Sequence, residues 1–431
     1  MHQVDDITID QLTKIEGDCS LNVKVVDGKA EKVEFALVES KRFYTEAMKG
    51  KPIAAIPQLL ARICGTCSNA HIMADLEACE SALGITPSKQ TMLLRNLTMY
   101  GLNIRDHALH LYLFVLPDAY KKDSFLDFDE NIPEEHNILH DAFDIKAVGN
   151  FLSILIAGRS VHAPYPTIGG FIHFPDKAGI EEAKKKLEEI RPAVLRTIEL
   201  FKNIPWKFDR QASFMALVPE RYGFLTGCIR TSENECIEEK DFRSHLEHVV
   251  VPYSQASAYK YAGKSYMVGS LARMNLAKDN LNERTKKTLG DTLNLFPSTN
   301  VYMNNLAQAI EILHSVDESL DILNQNEFKP EPVIKAPFRD AVGIGVIEAP
   351  RGTLYHKIVL GADGIVKEGE IIVPTGQNQI NIETDIGVLV NDLLEKKTSK
   401  DEIKFEIEKL IRAYDPCISC ASHFLTLNWE E

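Results

Sequence analysis

The chain has 431 residues, 45% hydrophobic and 26% charged, enough to bury a large core. Its 62 acidic against 48 basic side chains leave a net charge of −14, which excludes the basic footprint that nucleic acid or an anionic membrane surface requires. The opening MHQVDDITID lacks the basic and apolar regions of a signal peptide, and no apolar run approaches the roughly 20 residues that span a bilayer, so a cytoplasmic protein without direct membrane insertion is expected.

In chain order, LNVKVVDGKAEKVEFAL alternates Leu21, Val23 and Val25, then Val33, Phe35 and Leu37, around an Asp27-Gly28 turn; this is a hairpin pattern. From Ile53 the period becomes helical. Thr86-Pro87 reads as an N-cap followed by proline at the first helical position, apolar residues recur from Met92 to Leu116, and Pro117 marks the stop. A helix of about 30 residues spans about 45 Å, the length of a bundle spine. Further helices are expected in EEAKKKLEEIRPAVLRTIELF and NNLAQAIEILHSVDESLDIL. Near Ala341 the pattern returns to strands, AVGIGVIEAP and LYHKIVLGADGIVKEG, with a second Asp-Gly turn at 363–364. In the last helix Ser399 and Glu402 form a capping box, Ile403, Ile407, Leu410 and Ile411 give the buried stripe, and the chain then enters Asp415-Pro416-Cys417. The expected fold is α+β and mainly helical. It is a single unit over 1–431, with a β-rich region at 1–50, a long-helix core at 51–335, and a hairpin and last helix in 336–431.

The eight cysteines divide into two classes. Cys19, Cys79, Cys228 and Cys236 have no paired spacing and are expected to be buried free thiols. Cys64 and Cys67 in RICGTC, and Cys417 and Cys420 in DPCISC, form two Cys-x-x-Cys pairs at opposite ends of the chain. Each pair alone is an incomplete ligand set, so the two should meet in a four-thiolate site. Soft thiolates select zinc, iron–sulfur, copper(I) or nickel, and spacing alone leaves structural zinc, a cluster and a catalytic soft metal all open. Zinc ribbons usually bring their pairs from within about 20 residues, whereas Cys67 and Cys417 stand 350 positions apart.

The flanking residues carry a resemblance. RICGTCSNAH and DPCISCASH resemble the two cysteine motifs of nickel–iron hydrogenase large subunits, and KIEGDCSLNV, RDHALH, EAPRGTLYH and VPTGQN are similar to four further blocks of that family, in family order. The resemblance implies an α+β fold with a long-helix core and a nickel–iron centre whose iron carries cyanide and carbon monoxide. Cys64 and Cys417 would be terminal nickel ligands, and Cys67 and Cys420 the bridges to iron. Arg351 would sit over the open metal face, held by Asp106 and Asp415. Glu16 would pass protons from a nickel thiolate, His71 would orient a bridging sulfur, and Pro350 and Thr375 would line the site. Without the resemblance, Arg351 reads as a surface turn residue, Asp415 as a turn residue before proline, Glu16 as a surface strand residue and His71 as an ordinary helix-face histidine.

Two departures are visible. Lys14 and Asp18 stand where the family has arginine and histidine, and KRFYTEAMKGK puts Thr45 at the family's glutamate, with Glu46 one place on. Glu46 and His423 are the candidate side-chain ligands of a second ion, magnesium or iron. The resemblance further implies hydrogen oxidation and evolution, no iron–sulfur cluster on this chain, and an iron–sulfur small subunit as partner. Nicotinamide, deazaflavin or heterodisulfide-reductase modules would carry electrons onward, as in the cytosolic bidirectional group. Nickel-insertion factors and a maturation protease that cuts after His423, removing FLTLNWEE, are also implied. Competing readings are a hydrogen-sensing homologue, a quinone-pocket subunit of the respiratory complex I type, against which the four cysteines argue, and a zinc-stapled interaction protein.

Overall fold

The computed structural model describes residues 6–39 and 43–422. Four long helices, Lys89–Leu109, Pro133–Ala157, Lys177–Asn203 and Met303–Gln325, pack into a bundle. The Lys177–Asn203 helix shows why such elements form. Ile180, Leu187, Val194, Ile198 and Phe201 turn one stripe inward, and the Asp176 carboxylate accepts the Gly179 N–H at 2.7 Å to cap the start. Met303–Gln325 is buried almost all round, which makes it the central rod. Its polar residues Asn304, Gln308 and Glu311 recur at helical spacing along one buried face.

The long first bundle helix starts two residues later than expected. Ser88, not Thr86, is the N-cap, its hydroxyl accepting from Thr91 N at 3.0 Å. The helical path continues from Leu109 through a π-helical stretch, His110–Val115, into Leu116–Ala119. Pro117 does not stop it: a proline lacks the N–H of an α-helical bond and crowds the carbonyl four residues back, and the widened π turn upstream accommodates it.

The Cys19–Val26 and Lys29–Leu37 strands form the expected hairpin, joined by Ile7–Ile9 as a third antiparallel strand. Ala341–Ala349, Gly352–Leu360 and Val366–Ile372 form the C-terminal antiparallel sheet. The helix Ser68–Leu83 lies across that sheet, close enough that a Cβ on Gly345 would come within 2.2 Å of the Ala74 carbonyl oxygen. VPTGQN opens the helix Pro374–Glu395 with proline at its first turn.

Residues 213–267, inside the region expected to be helical, are instead β-rich. Their sheet has the order Tyr266–Met267, Ser213–Val218, Cys228–Thr231, Cys236–Ile237, with a separate hairpin of Leu246–Val250 and Ser257–Tyr261. Cys228 and Cys236 are disulfide-bonded rather than free, because their strands are neighbours in this sheet and bring the Cα atoms to 5.7 Å. Cys19 and Cys79 are buried and free, as expected. Among the described residues no helix is long and apolar enough to cross a membrane.

Candidate metal centre

Cys64 is extended and follows the short turn Ala61–Ile63; Cys67 is the N-cap of the Ser68–Leu83 helix. The second pair follows the last helix, Lys400–Ala413, whose start is capped by the Ser399 hydroxyl and whose Ile403, Ile407, Leu410 and Ile411 are buried. After Tyr414, Asp415 adopts a left-handed backbone with φ 51°, and Cys417 and Cys420 flank the turn Ile418–Ala421.

The two pairs meet. Cys64 Sγ lies 3.4 Å from Cys417 Sγ and Cys67 Sγ 3.0 Å from Cys420 Sγ, and all four sulfurs fall within 4.8 Å of one another. All four side chains are buried. Hydrogen bonds from the Cys417, Cys420 and Cys67 thiols hold Cys64 well below the ordinary thiol value, whereas burial pushes Cys417 and Cys420 well above it. Binding of soft cations requires these sulfurs as thiolates and displaces their protons. A buried set of four sulfurs in two facing pairs fits two soft metal ions bridged by thiolates.

Glu16 reaches this cluster from the other end of the chain. Residue 16 forms a parallel bridge with Cys417, and the Glu16 carbonyl accepts Ile418 N–H at 2.9 Å. Gly17 is required beside it, since its φ is +90° and a Cβ would come within 2.6 Å of Ile418 Cβ. Lys14, the departure from arginine, donates to Asp118 at 2.7 Å; the other Asp118 oxygen accepts from Arg412, whose Nε donates to the Thr13 carbonyl. This clip ties the segment before Glu16 to the last helix. The Glu16 carboxyl accepts from Ser419 N–H at 3.0 Å and from the Cys417 thiol at 3.1 Å, with Cys64 Sγ at 4.0 Å. Burial, then the Cys64 charge, raise its pKa against those hydrogen bonds.

Arg351 is buried beside the sulfurs. Its Nη1 donates to Asp106 at 2.8 Å and its Nε to Asp415 at 3.0 Å. Nη2 also lies 3.0 Å from Asp415 Oδ1, yet its geometry gives no hydrogen bond, so that donor is left over. Burial alone would lower the guanidinium pKa; Asp106 and Asp415 outweigh it and hold the group charged. With Cys67, His71, Pro374, Thr375, Cys417 and Cys420, Arg351 lines a cavity of about 10 Å³, room for about one water molecule. Thr375 Oγ1 accepts Cys417 N–H at 2.9 Å. Pro350, expected to line the site, does not line this cavity, because its carbonyl is held by Arg273 Nη2 at 2.9 Å and its neighbours Ala349 and Arg351 face the cavity instead.

His71 Nε2 is 3.5 Å from Cys420 Sγ, and its Nδ1 is 3.1 Å from His356 Nε2. Several supporting groups were not singled out from the sequence. His356 is the last residue of EAPRGTLYH, and its Nδ1 is 3.6 Å from the buried Asp75. Gln308 donates to Asp415 at 2.9 Å, and Asn304 to the Ala413 carbonyl at 2.9 Å, so the central helix grips the approach to the second cysteine pair. Arg105 Nη2 donates to the Thr66 carbonyl at 2.6 Å inside the first cysteine turn. Arg273 pairs with Glu311 and Glu348 and bonds the Ala349 and Pro350 carbonyls, which sets the backbone leading to Arg351. A lone arginine in the apolar run GSLARMNLA was the available signal.

Glu46 is half-exposed and pairs with Lys49 at 2.7 Å, while Thr45 is the buried member of that turn. His423 and the tail after it lie outside the described residues.

Comparison with known proteins agrees with this geometry. The family model for nickel-dependent hydrogenase matches residues 43–129 and 231–423. Sulfhydrogenase 1 subunit alpha of Pyrococcus furiosus is 31% identical over 98% of both chains. The NAD-reducing hydrogenase HoxS subunit beta of Cupriavidus necator is 25% identical over 97% of this chain and 95% of its own. The crystal structure of an NAD+-reducing [NiFe]-hydrogenase in the H2-reduced state superposes with a TM-score of 0.86, covering 97% of this chain and 99% of its own at 21% identity. With the fold shared end to end and both cysteine pairs inside the matched segments, this chain belongs to the nickel-dependent hydrogenase family.

Proposed function

We propose that this chain is the catalytic large subunit of a cytoplasmic nickel–iron hydrogenase in which Glu16 moves the proton, Arg351 polarises the open face and His71 holds a bridging sulfur. The observation that carries the reading is the convergence of four sulfurs from both chain ends within 4.8 Å, with Arg351 lining the cavity beside three of them and Glu16 bonded to Cys417. When bound, the nickel–iron pair supplies the electron-accepting site at which dihydrogen is split into two protons and two electrons.

Cys64 and Cys417 would hold the nickel, and Cys67 and Cys420 would be shared with an iron expected to carry cyanide and carbon monoxide. The Cys67 and Cys420 sulfurs lie 3.0 Å apart, close enough to be held by the same centre. The Cys417 sulfur accepts the proton and passes it to Glu16 across 3.1 Å. A raised carboxyl pKa brings Glu16 closer to the thiol it serves. Ser419 bridges onward: its N–H holds Glu16 and its hydroxyl donates to the half-exposed Glu39 at 3.0 Å. Arg351 keeps a fixed positive charge beside the cavity without a labile proton, since Asp106 and Asp415 hold it charged.

Electrons leave through an iron–sulfur small subunit, and the relatives named for NAD reduction and as sulfhydrogenase alpha subunits support a multi-subunit complex of this kind. The pairing of Glu46 with Lys49 gives no support to a second magnesium or iron ion at that carboxylate. The test is elemental analysis of the matured complex with infrared spectroscopy. Nickel and iron with cyanide and carbon monoxide stretches, together with hydrogen-dependent dye reduction, are expected; zinc in the four-thiolate site of an active complex would sink the reading.

A further inference from the structure

Glu130, His136 and His140 form the second group of metal-ligating side chains among the described residues, away from the four cysteines. His136 and His140 stand one turn apart near the start of the Pro133–Ala157 helix, so both rings project from one face. Glu130 enters from the preceding turn, its Oε1 3.3 Å from His136 Nδ1 and 3.1 Å from His140 Nε2. The two rings are 4.2 Å apart between centroids and tilted by 41°. All three donor atoms lie within 4.8 Å of one another.

We propose that Glu130, His136 and His140 are a binding site for one divalent transition-metal ion of the zinc class. The separations suit a common ion: with ligand bonds of about 2.1 Å, neighbouring donors lie about 3.0 Å apart in octahedral and about 3.4 Å apart in tetrahedral geometry. The observed 3.1 and 3.3 Å fall between these limits. Two imidazoles and one carboxylate select zinc, nickel, cobalt or copper over magnesium and calcium, which take oxygen ligands. The surroundings attract a cation, because residues 123–144 contain eight acids and no lysine or arginine. Nearby carboxylates are engaged elsewhere: Asp129 with Asn131, Glu134 with Tyr120, and Glu135 with the Asp129 N–H and Lys122. Glu130 is left to the two histidines. Three protein ligands leave room for water on the ion, and the bound ion clips the 123–132 segment to the first turns of the helix.

The experiment titrates the assembled complex, washed with chelator, with Zn2+ against a chromophoric competitor. The unmodified complex should take up one tight equivalent per large subunit more than His136→Ala/His140→Ala. Glu130→Gln should weaken that uptake by about tenfold or more, and Mg2+ should not compete. Hydrogen turnover without added zinc should be unchanged in the variants. Equal zinc uptake by the unmodified complex and the double variant, or displacement by Mg2+ at similar concentrations, overturns the proposal. If the double variant fails to assemble, hydrogen exchange of the unmodified complex decides: zinc-dependent protection within residues 123–144 supports the site, and unchanged exchange there overturns it.

Discussion

Replacing Arg351 by lysine keeps the charge and removes the geometry. The guanidinium serves two separate carboxylates, Asp106 from Nη1 at 2.8 Å and Asp415 from Nε at 3.0 Å. One ammonium nitrogen cannot occupy both positions. Asp415 keeps Gln308 as a partner after the change, whereas Asp106 has no second one, because its Oδ1 is already without a hydrogen bond and its Oδ2 faces only Arg351. A buried hydrogen bond to a charged group contributes about 1.5–3 kcal/mol, so losing one arm should destabilise the fold by about that amount. The remaining charge shifts within the cavity, and a displacement of about 1 Å costs on the order of a hundredfold in rate, about 2.7 kcal/mol in the barrier. The assay is hydrogen-dependent reduction of an artificial acceptor, normalised to nickel content. Arg351→Lys should retain nickel and lose about a hundredfold. Turnover within threefold of the unmodified enzyme at full nickel occupancy would refute the role given to Arg351.

Cys67→Ser should abolish nickel retention and assembly with the small subunit, because a hard hydroxyl poorly replaces a bridging thiolate; full nickel by elemental analysis with normal activity would remove Cys67 from the bridge. Glu16→Gln keeps the hydrogen bond from Ser419 but cannot ionise, so isotope exchange between dihydrogen and water should fall by about tenfold or more while para–ortho conversion persists. Unchanged exchange with water would move the proton route elsewhere. The fourth prediction concerns Glu239, whose pKa burial pushes up to about 7 from an ordinary 4.5 where it meets Glu77 beside a cavity at the Ser68–Leu83 helix. Between those two values the folded chain holds a proton that the unfolded chain has released, so this pair's contribution to stability falls as pH rises through the window and levels off above it. Glu239→Gln should therefore gain on the order of 1–2 °C in Tm at pH 8 and little at pH 5, by calorimetry; an equal shift at both pH values would refute the titration.

Much of the centre was readable because short motifs carry their own chemistry. Cys64, Cys67, Cys417 and Cys420 converge, Arg351 stands between Asp106 and Asp415, and Glu16 bonds Cys417, and each of these residues belongs to a motif visible in the sequence. The supporting layer was not readable. Asp75 reaches His356 only because the Ser68–Leu83 helix crosses the Gly352–Leu360 strand, and no local spacing encodes that crossing. Arg273, Glu311 and Glu348 come from three distant segments, so their charges read separately as ordinary surface residues although all three are buried. The long helices and both terminal hairpins announced themselves by sustained periodicity. The 213–267 strands did not, since runs of two to six residues are too short to establish alternation. Cys228 and Cys236 were misjudged for the same reason: without the sheet, a separation of eight carries no pairing signal.

The 350 positions between Cys67 and Cys417 also set an order of events during biosynthesis. Joining ends that far apart in a flexible chain costs about 5 kcal/mol of closure entropy, which the sulfur cluster by itself does not return. The helical bundle and both terminal sheets must therefore bring the ends together first, and Glu16 docks against Cys417 only after the ribosome has released the last helix. A C-terminally truncated chain keeps only the Cys64–Cys67 dithiol and cannot form the four-sulfur cage. A four-sulfur cage therefore requires a chain made through Cys420 and folded around its bundle.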